Sequence, residues 1–353
     1  MGKTWMRRLI WSLALSLTAS GAYARPAGHA LTADLELGRD SFGRGESVPV
    51  RWSLANDSLE EARVLRWRTP IGGFDADLFD VQVNGHPATY LGRLVKRGAP
   101  QPEDFVRIAA GGAIAASFDL AAVYDLSEPG VYTVRYRAEL LDFQSLRLKT
   151  APQTAPVQSW EAVLQIENRG EPRNRADIDF DAVWGEAKAP GYVACSGSQQ
   201  NSLSTALGNA ETASIESRNH LTGFAPDSRY TTWFGAYDAS RYTTVTDHFT
   251  KIASAFTNQT VTFHCDCTDS AYAYVYPTQP YNIYLCNAFW PAPAKGTDSK
   301  AGTLIHEMSH FNVTAGTNDY AYGQSAAKKL AQKTPRKAIA NADNHEYYAE
   351  AGM

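Results

Sequence analysis

LIHEMSHFNVTAGTNDYAYG, residues 304–323, decides the reading of the second half of the chain. It opens with His306-Glu307-Met308-Ser309-His310. On a helix, positions i and i+4 share a face, so His306 and His310 can bind one metal ion. Glu307 can then reach a water at that metal and serve as general base. Asp298 or Ser299 can cap the helix, which is predicted over residues 300–311. Leu304, Ile305, Met308 and Phe311 supply the apolar faces that bury it. Three fixed residues recur by chance in a chain this long with a probability of about one in a hundred, so the surroundings must settle the class.

The third ligand is the open question. The long pattern HExxHxxGxxH needs a glycine at 313 and a histidine at 316, but the chain has Val313 and Gly316. A glutamate on a later helix, Glu346 or Glu350, satisfies spacing alone. Nearer at hand, Gly316 can turn the chain. Asp319 is then expected to start the next helix, where a carboxylate is favoured by the dipole. Tyr322, three residues on, would share its helical face and could donate to an oxyanion. From the residues alone Asp319 reads equally as a helix cap, and Tyr322 as a packed aromatic.

The chain has 353 residues, enough for two domains, with 44% hydrophobic and 20% charged residues. That is a globular composition. A net charge of −4 gives no support to a nucleic-acid partner. Lys3, Arg7 and Arg8 precede a short apolar run, Leu9 to Ala19, and Ala22-Tyr23-Ala24 follows. This is the pattern of a secretory signal cleaved after Ala24, with no membrane attachment afterwards. The four cysteines, Cys195, Cys265, Cys267 and Cys286, fit two disulfides in an exported protein. Cys265 and Cys267 are badly placed to bond each other, so each needs its own partner. A zinc site on Cys265, Cys267 and His264 is disfavoured by its spacing.

Residues 28 to about 168 read as all-β. Val48, Val50, Trp52 and Leu54 alternate onto one face, as do Tyr132, Val134, Tyr136, Ala138 and Leu140. An immunoglobulin-like sandwich is expected, without a catalytic constellation of its own. Segments 149–159 and 168–177 read as linkers. Helices are expected over 198–220 and 240–255, then aromatic strands at 271–277 and 281–290, then three closing helical segments. One of the aromatic strands could accept a substrate as an added strand. Helices and strands are segregated, so this half reads as α+β.

HExxH followed by GTNDYAYG resembles the aspzincins, the deuterolysin family of zinc endopeptidases. Within it, the chain is similar to the peptidyl-Lys metalloendopeptidases. The resemblance runs from about 191 to 350 and includes RYTTWFG (229–235), AYVYP (273–277), GTDSKAGTLIHEMSHF (296–311), GTNDYAYGQSAAK (316–328) and NADNHEYYAE (341–350). It implies a zincin-like domain binding one Zn²⁺ through His306, His310 and Asp319. It implies Glu307 as base, Tyr322 as transition-state stabiliser, and the disulfides Cys195–Cys265 and Cys267–Cys286.

Residues 334–350 read as one helix started by Pro335. Asp343 and Glu346, at i and i+3, can converge on a substrate ammonium. From composition alone they are as well a solvated acidic face. The resemblance makes them the S1′ pocket, implying cleavage on the amino side of lysine. The expected organisation is a signal peptide at 1–24, a β-sandwich propeptide at 25–187 and a catalytic domain at 188–353. Its partners would be protein or peptide substrates and its own propeptide, as inhibitor or chaperone. The secreted enzyme is expected to be a monomer, self-processed before Lys188. The alternatives are a broader-specificity protease with a retained binding module, and a non-catalytic binding protein on a protease fold.

Overall fold

The computed structural model describes residues 31–71, 73–141, 154–171, 190–223 and 225–353. The expected signal peptide and the expected processing site at Lys188 lie outside them.

Among the described residues the first half holds twelve strands: β1 (Leu31–Leu37), β2 (Ser41–Gly43), β3 (Pro49–Asn56), β4 (Ala62–Leu65), β5 (Phe79–Val83), β6 (His86–Pro87), β7 (Leu94–Lys96), β8 (Phe105–Ile108), β9 (Ala113–Asp119), β10 (Gly130–Leu141), β11 (Thr154–Gln158) and β12 (Ala162–Glu167). One sheet has the order β1-β3-β9, and another runs β2-β12-β10-β5-β6 with β11 paired to β10. Alternation explains how they meet. Val48, Val50, Trp52 and Leu54 from one sheet and Tyr132, Val134 and Tyr136 from the other are buried in a single core. The Trp52 and Tyr136 rings lie 5.2 Å apart across it. The segment read as a linker at 149–159 is corrected here. Residues 154–158 form β11, because the twelve-residue β10 extends past β12 and needs a partner for its exposed end.

The second half adds β13 (Gly191–Val193), β14 (Thr262–His264), β15 (Ala273–Val275) and β16 (Asn282–Leu285), with helices α1 (Gly197–Gly223), α2 (Ser228–Phe234), α3 (Ala239–Asn258), α4 (Lys300–His310), α5 (Gln324–Lys333), α6 (Pro335–Ala338) and α7 (Ala342–Glu350). Helices and the sheet share one core, in which Leu203, Phe249, Phe263, Leu304, Ile305, Met308 and Tyr348 are buried. Its sheet has the order β13-β14-β16-β15-β7. The outermost strand, β7, comes from the first half of the chain.

Two expectations about the closing helices are corrected. Residues 334–350 are two helices, broken at 339–341. Asp319 does not start a helix. It lies in a loop, and α5 begins only at Gln324, after Gly323 at φ +83°. Asp319 and Tyr322 therefore do not share a helical face.

Both disulfides expected from the resemblance are present, Cys195–Cys265 and Cys267–Cys286. Among the described residues no helix is long and apolar enough to cross a membrane.

Candidate active site

The site is organised by α4. Ser299 caps it, its Oγ accepting from the Gly302 N–H at 2.9 Å. At Gly302 the helix meets α7 so closely that an added Cβ would lie 2.1 Å from the Glu350 carboxylate. That carboxylate accepts the Ser299 N–H at 2.9 Å and its hydroxyl at 2.8 Å. Burial pushes the Glu350 carboxyl up to about 8. Glu350 thus tethers the N-terminal end of α4, whereas the two histidines stand in its last two turns.

Each histidine uses Nδ1 for a protein partner. His310 Nδ1 bonds the Thr317 carbonyl at 2.9 Å. His306 Nδ1 bonds Glu346 Oε2 at 3.2 Å and lies 2.9 Å from Asp343 Oδ1. This leaves both Nε2 atoms facing one carboxylate, Asp319, at 3.2 Å from His306 and 3.4 Å from His310. Despite those distances, neither Nε2 atom nor either Asp319 oxygen makes a hydrogen bond, and all are buried. They converge on a common point rather than on each other. Two imidazole nitrogens and a carboxylate oxygen, all within 4.8 Å of one another, are a donor set that suits zinc. Burial pushes the Asp319 carboxyl up, but His310 and His306 outweigh it and hold it well below the usual range.

The loop carrying Asp319 is fixed from two sides. Thr317 N–H donates to the Ser309 carbonyl at 3.1 Å, and the Ser309 and Thr317 hydroxyls bond at 2.6 Å. Asn341, in the break between α6 and α7, accepts the Tyr320 and Ala321 N–H groups on Oδ1 at 2.7 and 3.0 Å. Gly316, at φ +57°, supplies the left-handed turn between the helix and this loop. Asn341 was not singled out from the sequence. Its signal was its place between a proline-started turn and the acidic pair.

Glu307 is fully buried and neither carboxylate oxygen has a hydrogen-bond partner. Burial pushes its pKa up to about 7, against the pull of His306 and His310. A carboxyl near neutrality is suited to accepting and returning a proton. Tyr322 directs its hydroxyl at the Val95 carbonyl, 3.0 Å away, and its ring packs edge-on against Trp67.

Asp343 and Glu346, on α7, meet behind His306. The Asp343 Oδ2 accepts the Gly323 N–H at 2.6 Å, steadying the residue after Tyr322. With His306 they form a second cluster of metal-compatible groups. A cation is already there: the Lys96 ammonium, 2.5 Å from Glu346 Oε2, 3.8 Å from Asp343 and 3.9 Å from Asp298. Burial disfavours the ammonium form, but Glu346, Asp343 and Asp298 outweigh that and raise its pKa. Nothing in the sequence had marked Lys96.

Compared with known proteins, residues 225–350 match the family model described as lysine-specific metallo-endopeptidase. An extracellular protease of Aeromonas hydrophila is 39% identical over 87% of this chain and 89% of its own length. A peptidyl-Lys metalloendopeptidase of Armillaria mellea is 34% identical over 98% and 97%. The chain belongs to the aspzincin family. A further aspzincin relative, a peptidyl-Lys metalloendopeptidase of Pleurotus ostreatus, is 47% identical over 161 residues, which are 45% of this chain and 95% of that one. As an aspzincin, the chain is a zinc metalloendopeptidase. The orphaned Nε2 and carboxylate atoms described above fit that metal.

Proposed function

We propose that this chain is the proenzyme of an extracellular zinc endopeptidase that cuts on the amino side of lysine. His306, His310 and Asp319 would hold the zinc, which when bound supplies the Lewis acid for water and carbonyl activation. Glu307 takes the proton from the attacking water and returns it to the leaving amine. The Tyr322 hydroxyl donates to the scissile carbonyl oxygen as charge develops on it. Glu346 and Asp343 receive the ammonium of the P1′ lysine. The edge of β15 that β7 covers here takes the substrate backbone as an added strand once the first half is gone.

The observation that carries this reading is the acid pair. Two fully buried carboxylates contact a metal-compatible histidine on one side and a lysine ammonium on the other. A slim ammonium suits that space better than a planar guanidinium, so arginine would be the poorer substrate. The Aeromonas relative is named an extracellular protease, and the signal-like N-terminus agrees with export. The first half, an immunoglobulin-like sandwich in this reading, would be a propeptide removed after folding. The 161 residues covering nearly all of the Pleurotus relative support an enzyme that stands without it.

The test is a peptide library digested by the mature enzyme. Enrichment of lysine at P1′ is expected, and its absence would sink the specificity. Glu307→Ala should abolish cleavage and self-processing while zinc content stays at one per chain.

A further inference from the structure

An enzyme that cuts polypeptides needs an open cleft, yet here the site is sealed. His306, Glu307, His310, Asp343 and Glu346 are 0% exposed. What seals it is β7. It is added antiparallel to β15, with Ala273 opposite Lys96, Tyr274 opposite Val95 and Val275 opposite Leu94. The Tyr272 N–H donates to the Lys96 carbonyl at 3.1 Å. Lys96 and Val95 are both fully buried. The Lys96 side chain fills the acid pocket, and the carbonyl of the residue before it receives the Tyr322 hydroxyl. Arg93 and Arg97 flank the strand, and each reaches Asp75 of the β-half and Asp269 of the catalytic half. They clamp the segment between the two halves of the molecule.

We propose that Leu94–Lys96 is a built-in pseudosubstrate, with Val95 in the P1 position and Lys96 in P1′, that keeps the proenzyme latent. This rests on the lysine-specific reading above. The block is competitive and depends on the Lys96 ammonium. Cutting the chain between the halves does not by itself open the cleft; the β-half must also leave or be degraded. The Val95–Lys96 bond lies between the Tyr322 hydroxyl and the acid pair. It is therefore the propeptide bond that the site itself would hydrolyse: water adds across it, leaving a Val95 carboxylate and a new amine on Lys96.

The experiment uses the full secreted chain, loaded with zinc, and two quenched peptides, one with a single lysine and one without. Before any cleavage seen by mass spectrometry, the wild-type chain should cut the lysine peptide at least about tenfold more slowly than the mature enzyme. Lys96→Ala and the more conservative Lys96→Met should raise that initial rate about tenfold or more. Amine acylation of the wild-type chain, read by mass spectrometry, provides an arm needing no variant: Lys96 should be protected while exposed lysines react. An uncleaved wild-type chain as active as the mature enzyme overturns the proposal. So do Lys96 variants that fold with normal zinc content yet stay silent, or a Lys96 that acylates as fast as exposed lysines. Failure of the lysine-specific reading looks different: the mature enzyme would cut both peptides equally well.

Discussion

The same carboxylate oxygen, Glu346 Oε2, hydrogen-bonds His306 Nδ1 at 3.2 Å and an ammonium at 2.5 Å. In the proposed reading Glu346 joins metal holding to lysine recognition, since a carboxylate behind a ligating imidazole fixes its orientation and basicity. Glu346→Gln keeps the shape and removes the charge. It should lower zinc affinity by about 10–100-fold, the usual effect of removing such a partner. It should also cut kcat/KM for P1′ lysine by at least ~10-fold, while substrates with uncharged P1′ residues lose less. Chelator competition and paired peptide kinetics read the two effects separately.

The role proposed for Tyr322 rests on its hydroxyl alone. Its ring is held independently by Trp67, with the Arg68 guanidinium 5.9 Å from the ring centroid. Tyr322→Phe should therefore fold normally. If the hydroxyl acts on the developing oxyanion, kcat falls by about 10²–10³-fold with KM nearly unchanged. A rise in KM at constant kcat would instead make the residue a ground-state binding group.

The local patterns in the sequence reached as far as local forces do. Helix α4 was legible because its cap, its apolar faces and the histidine spacing all lie within a dozen residues. The alternation in β3 and β10 placed their buried faces for the same reason. The expected helix start at Asp319 fails because the shape of the loop at 317–323 is set by Asn341 and Ser309, which local periodicity does not register. The break at 339–341 was missed for a related reason: it frees Asn341 to bind that loop. Lys96 was invisible in another way. It sits in a three-residue strand like many others, and its carboxylate partner is 250 residues away. The third-ligand alternatives left open by spacing are now distinguishable. Glu350 is occupied at the far end of α4, Glu346 faces the Nδ1 side of His306, and only Asp319 faces both Nε2 atoms.

Asn341 holds the backbone just after Asp319, so its effect should be one of positioning. Its Nδ2 donates to the Ala321 carbonyl at 3.2 Å and to Asn344 Oδ1 at 2.8 Å, completing its grip on the loop. Asn341→Ala would strand two backbone N–H groups, at a cost of about 1–3 kcal/mol each. Expected are a kcat reduced on the order of tenfold and faster zinc release, with the lysine preference retained. Asn341→Asp restores the acceptor and should recover part of the loss. A purely structural role would lower Tm in both variants without changing zinc release.

Two histidines packed away from the metal set an acid limit on the fold. His248 Nδ1 and His345 Nε2 are 3.0 Å apart, and His345 Nδ1 bonds the Asn341 carbonyl at 2.9 Å. With His345 Nδ1 donating, its Nε2 accepts from the His248 Nδ1–H, and this pair of bonds needs His345 neutral. Burial lowers His248 to about 4, and burial together with His248 lowers His345 to about 3. Their ordinary value in an unfolded chain is about 6.5. Between these values the unfolded state binds more protons than the folded one, so stability rises with pH. Their contribution is complete above about pH 6.5 and is lost progressively as pH falls toward 4. Glu307 and Glu350, raised by burial, slope the other way, so the histidines are read as a difference: between pH 7 and pH 5 the wild-type Tm should fall by at least about 2 °C relative to a variant lacking His248. Zinc ligands also protonate in acid, so the wild type alone does not isolate this pair. His248→Gln keeps a donor toward His345 without a titrating ring, and it should lose that part of the Tm–pH slope while zinc loss stays at the same pH. An unchanged slope in this variant would assign the acid limit to the metal site.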